Sequence, residues 1–293
     1  MSRHRTLIAA VPLVLALALT AACSSSSGSA SSSASTASSS SGSAASSSST
    51  ERSLQILISN DDGVAAPGID TLATALSALP NVVVTVSAPA TNQSGTGGKT
   101  TPGGVTGTPT TTASGLAATS VAGFPADAVA YGLSTVLKGA KPDLVVSGVN
   151  NGQNLGPVID LSGTVGAARV AVAQHIPAIA GSAGLGDSPD FTDAAAVVVT
   201  WVTDHRAELL GGTADTSTVL NINTPTCTAG AVRGVVDVPA APDANGRDFL
   251  GKADCTSTTA VAAGADDVDA FLLGYTTRSL IPVAPTPDAT YGT

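Results

Sequence analysis

The sequence predicts an α/β fold: a doubly wound, mostly parallel, Rossmann-like sheet with a C-terminal extension or oligomerisation arm. Short β-branched runs alternate with segments whose apolar residues recur at helical spacing, which is the pattern of βαβ units. The β-branched runs lack a polar face, as strands that are covered on both sides require. Aromatic residues make up 3% and charged residues 11% of the chain, so we expect an aliphatic core with many small side chains.

The first predicted βαβ unit spans residues 54–88. Leu54 to Ser59 is an apolar run, Gly68 to Leu79 has apolar residues at helical spacing, and Val82 to Ala88 is β-branched. Residues 91–120 are rich in Thr and Gly and predict loops or a short hairpin. The alternation continues with helices at Pro125 to Leu137, Val165 to Gln174 and Ala194 to Leu210, and with strands at Leu144 to Ser147, Ala178 to Ala180 and Val219 to Ile222.

The periodic pattern weakens after Pro225, where Pro, Gly and Asp are frequent. One apolar segment, Val268 to Tyr275, remains. Residues 225–293 are therefore predicted to complete the domain or to serve as an arm in a homodimer or homotetramer. Cys227 and Cys255 lie in this extension, and we expect a disulfide between them in an oxidising compartment. Two unpaired thiols are the alternative.

The first 22 residues have the pattern of an export signal. Basic residues precede an apolar run from Leu7 to Leu19, which is shorter than the about 20 residues of a membrane-spanning helix. Small residues directly before Cys23 resemble the bacterial lipobox, in which the cysteine carries the lipid. Thr20 stands where an aliphatic residue is usual. We expect a lipoprotein on the outer face of the cytoplasmic membrane, with plain secretion as the alternative.

A flexible tether follows this leader. Every residue from Ser24 to Thr50 is Ser, Gly, Ala or Thr, so the segment has no core to bury. The predicted organisation is a signal peptide at residues 1–22, a lipid-attachment cysteine and tether at 23–52, an α/β domain at 53–224 and the extension at 225–293. The formal net charge of -9 argues against a DNA-binding surface.

Polar, glycine-bearing loops follow the first three predicted strands. Ligands of open α/β sheets bind at the carboxyl ends of strands, so we expect these loops to converge. Asp61 and Asp62 are adjacent in the first loop, and a divalent cation would relieve their repulsion. A turn with a helix cap is the alternative interpretation. The loops read Asn60-Asp61-Asp62-Gly63, Asn92-Gln93-Ser94-Gly95 and Ser147-Gly148-Val149-Asn150-Asn151-Gly152.

Small and hydroxyl residues from Ser162 to Gly166 open a predicted helix. The first amides of a helix can bind a phosphate, although a helix cap with close packing is the alternative. Neither G-x-G-x-x-G nor a Walker loop occurs, so a nucleotide is not expected as a cofactor. His4 lies in the leader, and His175 and His205 lie on predicted helices, so a Ser-His-Asp triad has no candidate base.

Several ordered segments together carry a more specific pattern. They are Ile56 to Gly68, Ala88 to Gly95, Gly123 to Asp127, Ser147 to Gly156 and Ser162 to Arg169. These segments resemble the SurE family, whose members are metal-dependent 5′/3′-nucleotidases that also act on other phosphomonoesters and polyphosphate. The resemblance covers roughly residues 54–183.

The resemblance implies a set of site residues. The metal, Mg²⁺ or Mn²⁺, would be held by Asp61, Asp62, Ser94 and Asn150. The phosphate and substrate would contact Asn60, Gly95, Asn154, Ser162, Gly163 and Thr164. Asp61 is the candidate base or nucleophile, so attack by water and a covalent aspartyl phosphate both stay open. Gln93 stands where many relatives carry Arg, and Phe124 where they carry Thr, which puts the substrate preference in question.

The predicted function is a metal-dependent phosphomonoesterase, a 5′/3′-nucleotidase of SurE type that hydrolyses nucleoside monophosphates outside the cytoplasm. A non-catalytic lipoprotein that binds a phosphorylated ligand or a metal is the alternative. A pure phosphate binder does not need two carboxylates with a serine and an asparagine. An acidic structural protein of the cell wall would not require three polar loops at strand ends.

Overall fold

A mixed nine-stranded sheet is the centre of the structure, a computed structural model that describes residues 52–186 and 188–284. Its strands are β1 (Leu54–Ser59), β2 (Val82–Pro89), β3 (Gly107–Thr111), β4 (Ala117–Val121), β5 (Leu144–Asn151), β6 (Ala178–Ala183), β7 (Thr218–Thr224), β8 (Val235–Asp237) and β9 (Thr276–Pro282). The order across the sheet is β3-β4-β2-β1-β5-β6-β7-β9-β8. Neighbouring strands are parallel except for β3 with β4 and β7 with β9.

Helices cover both faces of this sheet. They are α1 (Pro67–Ser77), α2 (Pro125–Tyr131), α3 (Gly163–Val172), α4 (Phe191–Asp204), α5 (Arg206–Gly211) and α6 (Asp267–Leu272). Helices α1 and α4 bury their apolar residues on one face, whereas α2 and α3 do so on the other. Strand β1 contributes to both cores, because Ile56 and Ile58 point to the first and Leu57 to the second. The sheet is therefore doubly wound, as the sequence predicts.

The middle of the chain differs from the prediction in detail. The Thr- and Gly-rich residues contain the antiparallel hairpin β3–β4, one of the two expected outcomes. The helix expected to reach Leu137 changes into a π-helical turn at Gly132–Val136. The helix expected to end at Leu210 is divided at His205, whose ring stacks on Trp201 with centroids 4.1 Å apart. His205 therefore lies between two helices and does not belong to the candidate-site loops that follow β1, β2 and β5.

The described C-terminal residues join the same sheet. Strand β9 pairs with β7 in antiparallel register, and β8 pairs with β9 in parallel register. The apolar segment Val268 to Tyr275 forms most of α6, where Val268 and Phe271 are buried in a third small core with Leu155. Cys227 and Cys255 form a disulfide, with Cα atoms 5.8 Å apart.

Several sequence predictions lie outside the described residues. These are the signal peptide at residues 1–22, the lipid-attachment site Cys23, the tether as far as residue 51, and the chain end from residue 285. Within residues 52–186 and 188–284, no helix has the length and apolar character needed to cross a membrane.

Candidate active site

Asp61 is the most deeply buried carboxylate of the strand-end loops. It follows β1 directly, is 2% exposed, and accepts a hydrogen bond of 2.6 Å from the Thr164 hydroxyl. Burial is the main cause that raises the pKa of Asp61 to about 6, and the neighbouring charge of Asp62 adds to this effect. Thr164 acts in the opposite direction, because its hydrogen bond stabilises the ionised form.

Asp62 joins the first loop to the two others. Its Oδ2 accepts a hydrogen bond of 3.0 Å from the Asn151 amide at the end of β5. Its Oδ1 accepts one of 3.2 Å from Nδ2 of Asn92, in the loop after β2. Burial raises the pKa of this half-buried carboxyl as well. In the described part of the chain, neither Asp61 nor Asp62 belongs to an ion pair.

The loop after β2 is fixed by backbone hydrogen bonds on both sides. The Gln93 amide donates to the Asp61 carbonyl at 2.6 Å, and the Gly97 amide donates to the Leu161 carbonyl at 2.9 Å. Ser94 and Gly95 lie between these two bonds and are exposed. Gly95 has φ +77 with open space around its Cβ position, so its left-handed backbone explains the glycine there. The structure therefore holds Ser94 at an open edge of the site.

The start of α3 closes on Asp61. Ser162 caps the helix by accepting a hydrogen bond of 3.2 Å from the Val165 amide. A Cβ atom on Gly163 would lie 2.8 Å from Cβ and 2.9 Å from Oδ2 of Asp61, so only glycine permits this approach. The helix N-terminus and its positive dipole end are therefore beside the buried carboxylate, where an anion could bind.

Asn150 lies at the end of β5 and is 8% exposed. Its Nδ2 donates to the Gly152 carbonyl at 2.6 Å, which orients the side chain and leaves Oδ1 as the atom that could bind a cation. Asn60 has both ends of its carboxamide bonded to the backbone of Gly63. Asn60 therefore shapes the loop, and its contact with the substrate stays a prediction.

Asn154, like Asn60, is hydrogen-bonded to other groups of the protein. Its side chain donates to the Ser182 hydroxyl at 3.0 Å, and its backbone amide donates to Oδ1 of Asn223 at 2.7 Å. The side chains of Asn221 and Asn223 both donate to the Asn154 carbonyl. The hydrogen bonds among these buried asparagines hold the loop that follows β5 in place. Asn221 and Asn223 alternate with apolar residues in β7, and this alternation is the sequence signal for their role. A buried carboxamide requires a hydrogen-bond partner.

Gln153 has a further structural role that the sequence did not reveal. It is 2% exposed, its Oε1 accepts from the Leu185 amide at 2.8 Å, and its Nε2 donates to the carbonyls of Phe249 and Gly251. One carboxamide thus joins the loop after β5, the loop after β6 and the C-terminal segment. Its partners are far apart in sequence, so the sequence gives no signal for this role.

The donor set fits a hard divalent cation. Asp61, Asp62, Ser94 and Asn150 offer only carboxylate, hydroxyl and amide oxygens, which Mg²⁺ and Mn²⁺ prefer. The adjacent carboxylates of Asp61 and Asp62 place negative charge in a partly buried region. Neither carboxylate forms an ion pair with a basic side chain of the described residues. The described residues contain no cluster of three or more His, Cys, Asp or Glu side chains, so the site differs from a typical zinc centre.

The chain is similar to proteins of known family. A family profile described as survival protein SurE matches residues 56–242. The 5′-nucleotidase SurE of Microcystis aeruginosa is 38% identical over 189 residues, which are 64% of this chain and 68% of the relative. That of Paramagnetospirillum magneticum is 40% identical over 183 residues, 62% of this chain and 68% of the relative. The crystal structure of the SurE protein from Aquifex aeolicus has a TM-score of 0.63 and 30% identity, covering 80% of this chain and 95% of that one.

Proposed function

The chain belongs to the SurE family, and we propose that it is a metal-dependent phosphomonoesterase that acts on nucleoside monophosphates. One observation carries the proposal: buried Asp61 and its neighbour Asp62 are hydrogen-bonded to α3, to the loop after β2 and to the end of β5. Two carboxylates and a helix N-terminus thus converge where parallel strands end. The relatives named 5′-nucleotidase support the nucleotide as the substrate.

The proposed metal ligands are Asp61, Asp62, Ser94 and Asn150. The ion would be Mg²⁺ or Mn²⁺, since all four donors are oxygens. When bound, such an ion polarises the phosphoryl oxygens and lowers the pKa of a coordinated water. The hydrogen bonds from Asn92 and the Asn151 amide orient Asp62 for this role.

The protein residues supply the remaining chemistry. The N-terminus of α3, at Gly163 and Thr164, would bind the phosphate and stabilise the charge that develops on its oxygens. Asp61, whose pKa burial raises to about 6, is the proposed base that takes the proton of an attacking water. Thr164 holds this carboxylate in place through Oδ1, which leaves Oδ2 beside Gly163 for the reaction.

Phosphate release by the purified protein, residues 51–293, tests this function. The substrates are nucleoside 5′- and 3′-monophosphates and polyphosphate, each with Mg²⁺, Mn²⁺ or a chelator. We expect turnover of the monophosphates that the chelator abolishes and added metal restores. Release of phosphate that is unaffected by exhaustive chelation would refute the metal requirement, and no release from any nucleotide would refute the proposed activity.

We also propose that the protein acts outside the cytoplasm, anchored by a lipid on Cys23. The leader pattern before Cys23 and the disulfide between Cys227 and Cys255 support an oxidising, exported location. Metabolic labelling with a fatty acid, followed by fractionation of cells, tests the anchor against a Cys23→Ser variant. Labelled variant protein that still sediments with membranes would contradict it. A dimer or tetramer stays a prediction, which light scattering of the purified protein checks.

A further inference from the structure

Six large apolar side chains of the described residues are exposed, and two of them, Leu185 and Leu250, belong to segments near the candidate site. In the described part of the chain, the exposed ones are Val83, Leu161, Leu185, Val235, Leu250 and Leu280. Leu185 and Leu250 belong to segments that are bonded to Gln153 in the loop after β5, and Asn150 lies at the end of this strand. An apolar surface beside a polar site can bind the organic part of a substrate.

Leu185 lies directly against Gly152, at the start of the loop after β5. Its Cδ2 is 3.1 Å from the point that a Cβ atom on Gly152 would occupy, and Nδ2 of Asn150 is 4.0 Å from that point. The Leu185 side chain is nevertheless 37% exposed, so part of its apolar surface faces solvent next to the site. Gly152 has φ +122, and its missing side chain lets Leu185 come this close.

Leu250 is held beside the same loop by Gln153. The Nε2 of Gln153 is 3.3 Å from the Phe249 carbonyl and 3.0 Å from the Gly251 carbonyl, the residues on either side of Leu250. The Oε1 of Gln153 accepts the Leu185 amide at 2.8 Å. One buried carboxamide therefore fixes the backbone of both leucines, although Leu250 is 49% exposed. A fixed apolar surface loses little conformational freedom when it binds a ligand.

We propose that Leu185 and Leu250 form an apolar subsite for the base of the nucleotide. This inference rests on the proposed function, because the phosphate must bind at the start of α3 for the base to reach the two leucines. A planar base would cover the exposed leucine surface and remove it from water. A phosphomonoester without a base, such as glycerol 1-phosphate, has no group to place there. The subsite should therefore affect KM for nucleotides alone.

The test uses Leu185→Ser, Leu250→Ser and the double variant of the protein, each checked for an unchanged melting temperature. We expect the double variant to raise KM for adenosine monophosphate by about tenfold, the usual effect of losing one or two apolar contacts. KM for glycerol 1-phosphate and kcat for both substrates should change less than twofold. Leu280→Ser is the matched control, since Leu280 is 66% exposed on β9 and should change none of these values.

Two outcomes separate this inference from the proposed function. If the nucleotide is hydrolysed but the double variant leaves its KM unchanged, or raises KM equally for both substrates, the subsite is refuted and the phosphatase stands. Equilibrium binding of adenosine reports on the subsite without turnover. If the wild type hydrolyses neither substrate but binds adenosine more tightly than the double variant, the subsite stands and the function fails. Absence of both hydrolysis and adenosine binding refutes both.

Discussion

The loops around Asp61 and the C-terminal segment after Thr224 are built in different ways. Around Asp61, short motifs place the candidate site residues within a few residues of strand ends, and hydrogen bonds between the loops fix them. The C-terminal segment has little regular structure before α6 and is held by a disulfide, a small apolar core and the strands β8 and β9. This difference predicts that substitutions around Asp61 change turnover with little effect on stability, and that substitutions in the C-terminal segment do the reverse.

The largest expected effect is that of Asp62→Asn on turnover. The amide keeps the size of the side chain and removes the charge, so we expect kcat/KM to fall about a thousandfold at limiting metal. The melting temperature should change little, because the half-buried Asp62 is not part of an apolar core. Phosphate release and a thermal melt measure the two properties. The matched control is Asp243→Asn on the exposed C-terminal surface. Undiminished turnover at limiting metal would remove Asp62 from the ligand set.

Removal of the disulfide should show the opposite pattern. Cys227 and Cys255 are separated by 28 positions. Replacing both by Ser should lower the free energy of unfolding by roughly 3 to 4 kcal/mol, according to the chain-entropy model. At moderate temperature, kcat for glycerol 1-phosphate should stay within twofold of the wild type, because neither cysteine belongs to the loops around Asp61. Denaturant unfolding and steady-state kinetics are the measurements. A large fall in kcat without loss of stability would show that the two regions are not separable.

The buried carboxyl of Asp267 should make the stability of the protein depend on pH. It is 0% exposed, accepts hydrogen bonds from the amides of Gly156 and Ala241, and burial raises its pKa to about 6. Because the folded pKa is above the unfolded value of 3.8, the group stabilises the fold most when it is protonated. This stabilising contribution is complete below about pH 4 and is lost as the pH rises through 6. The loss lowers the free energy of unfolding by at most about 3 kcal/mol.

The Asp267→Asn variant isolates that contribution. The amide cannot titrate, and it accepts only one of the two backbone hydrogen bonds, so the variant should be less stable than the wild type at pH 4. The difference in the free energy of unfolding should shrink as the pH rises to 7. Denaturant titrations at several pH values measure it, with Asp243→Asn as the exposed control. A difference that grows with pH would show that the two amides stabilise the ionised carboxylate.

Gly163→Ala is the smallest change that should affect the site. The new methyl group would approach Cβ and Oδ2 of Asp61 to less than 3 Å, so the carboxylate must shift. We expect kcat to fall about ten- to a hundredfold, because a small displacement of a reacting group is costly. Gly211→Ala, where the nearest atom is 3.9 Å away, is the control and should be neutral. Wild-type kcat in Gly163→Ala would show that the approach of α3 to Asp61 is not needed.

The sequence by itself determined the order of strands and helices along most of the chain and the loops that carry the candidate site. Buried parallel strands must be apolar on both faces, and the loops at their carboxyl ends share one edge, so local patterns near Asp61 and Ser162 were informative. Tertiary structure alone decided the partners of these loops. Thr164 bonds Asp61 across 103 positions, and Gln153 reaches Gly251 across 98. Nothing local encodes such contacts, because a buried polar group finds its partner only when distant segments pack together.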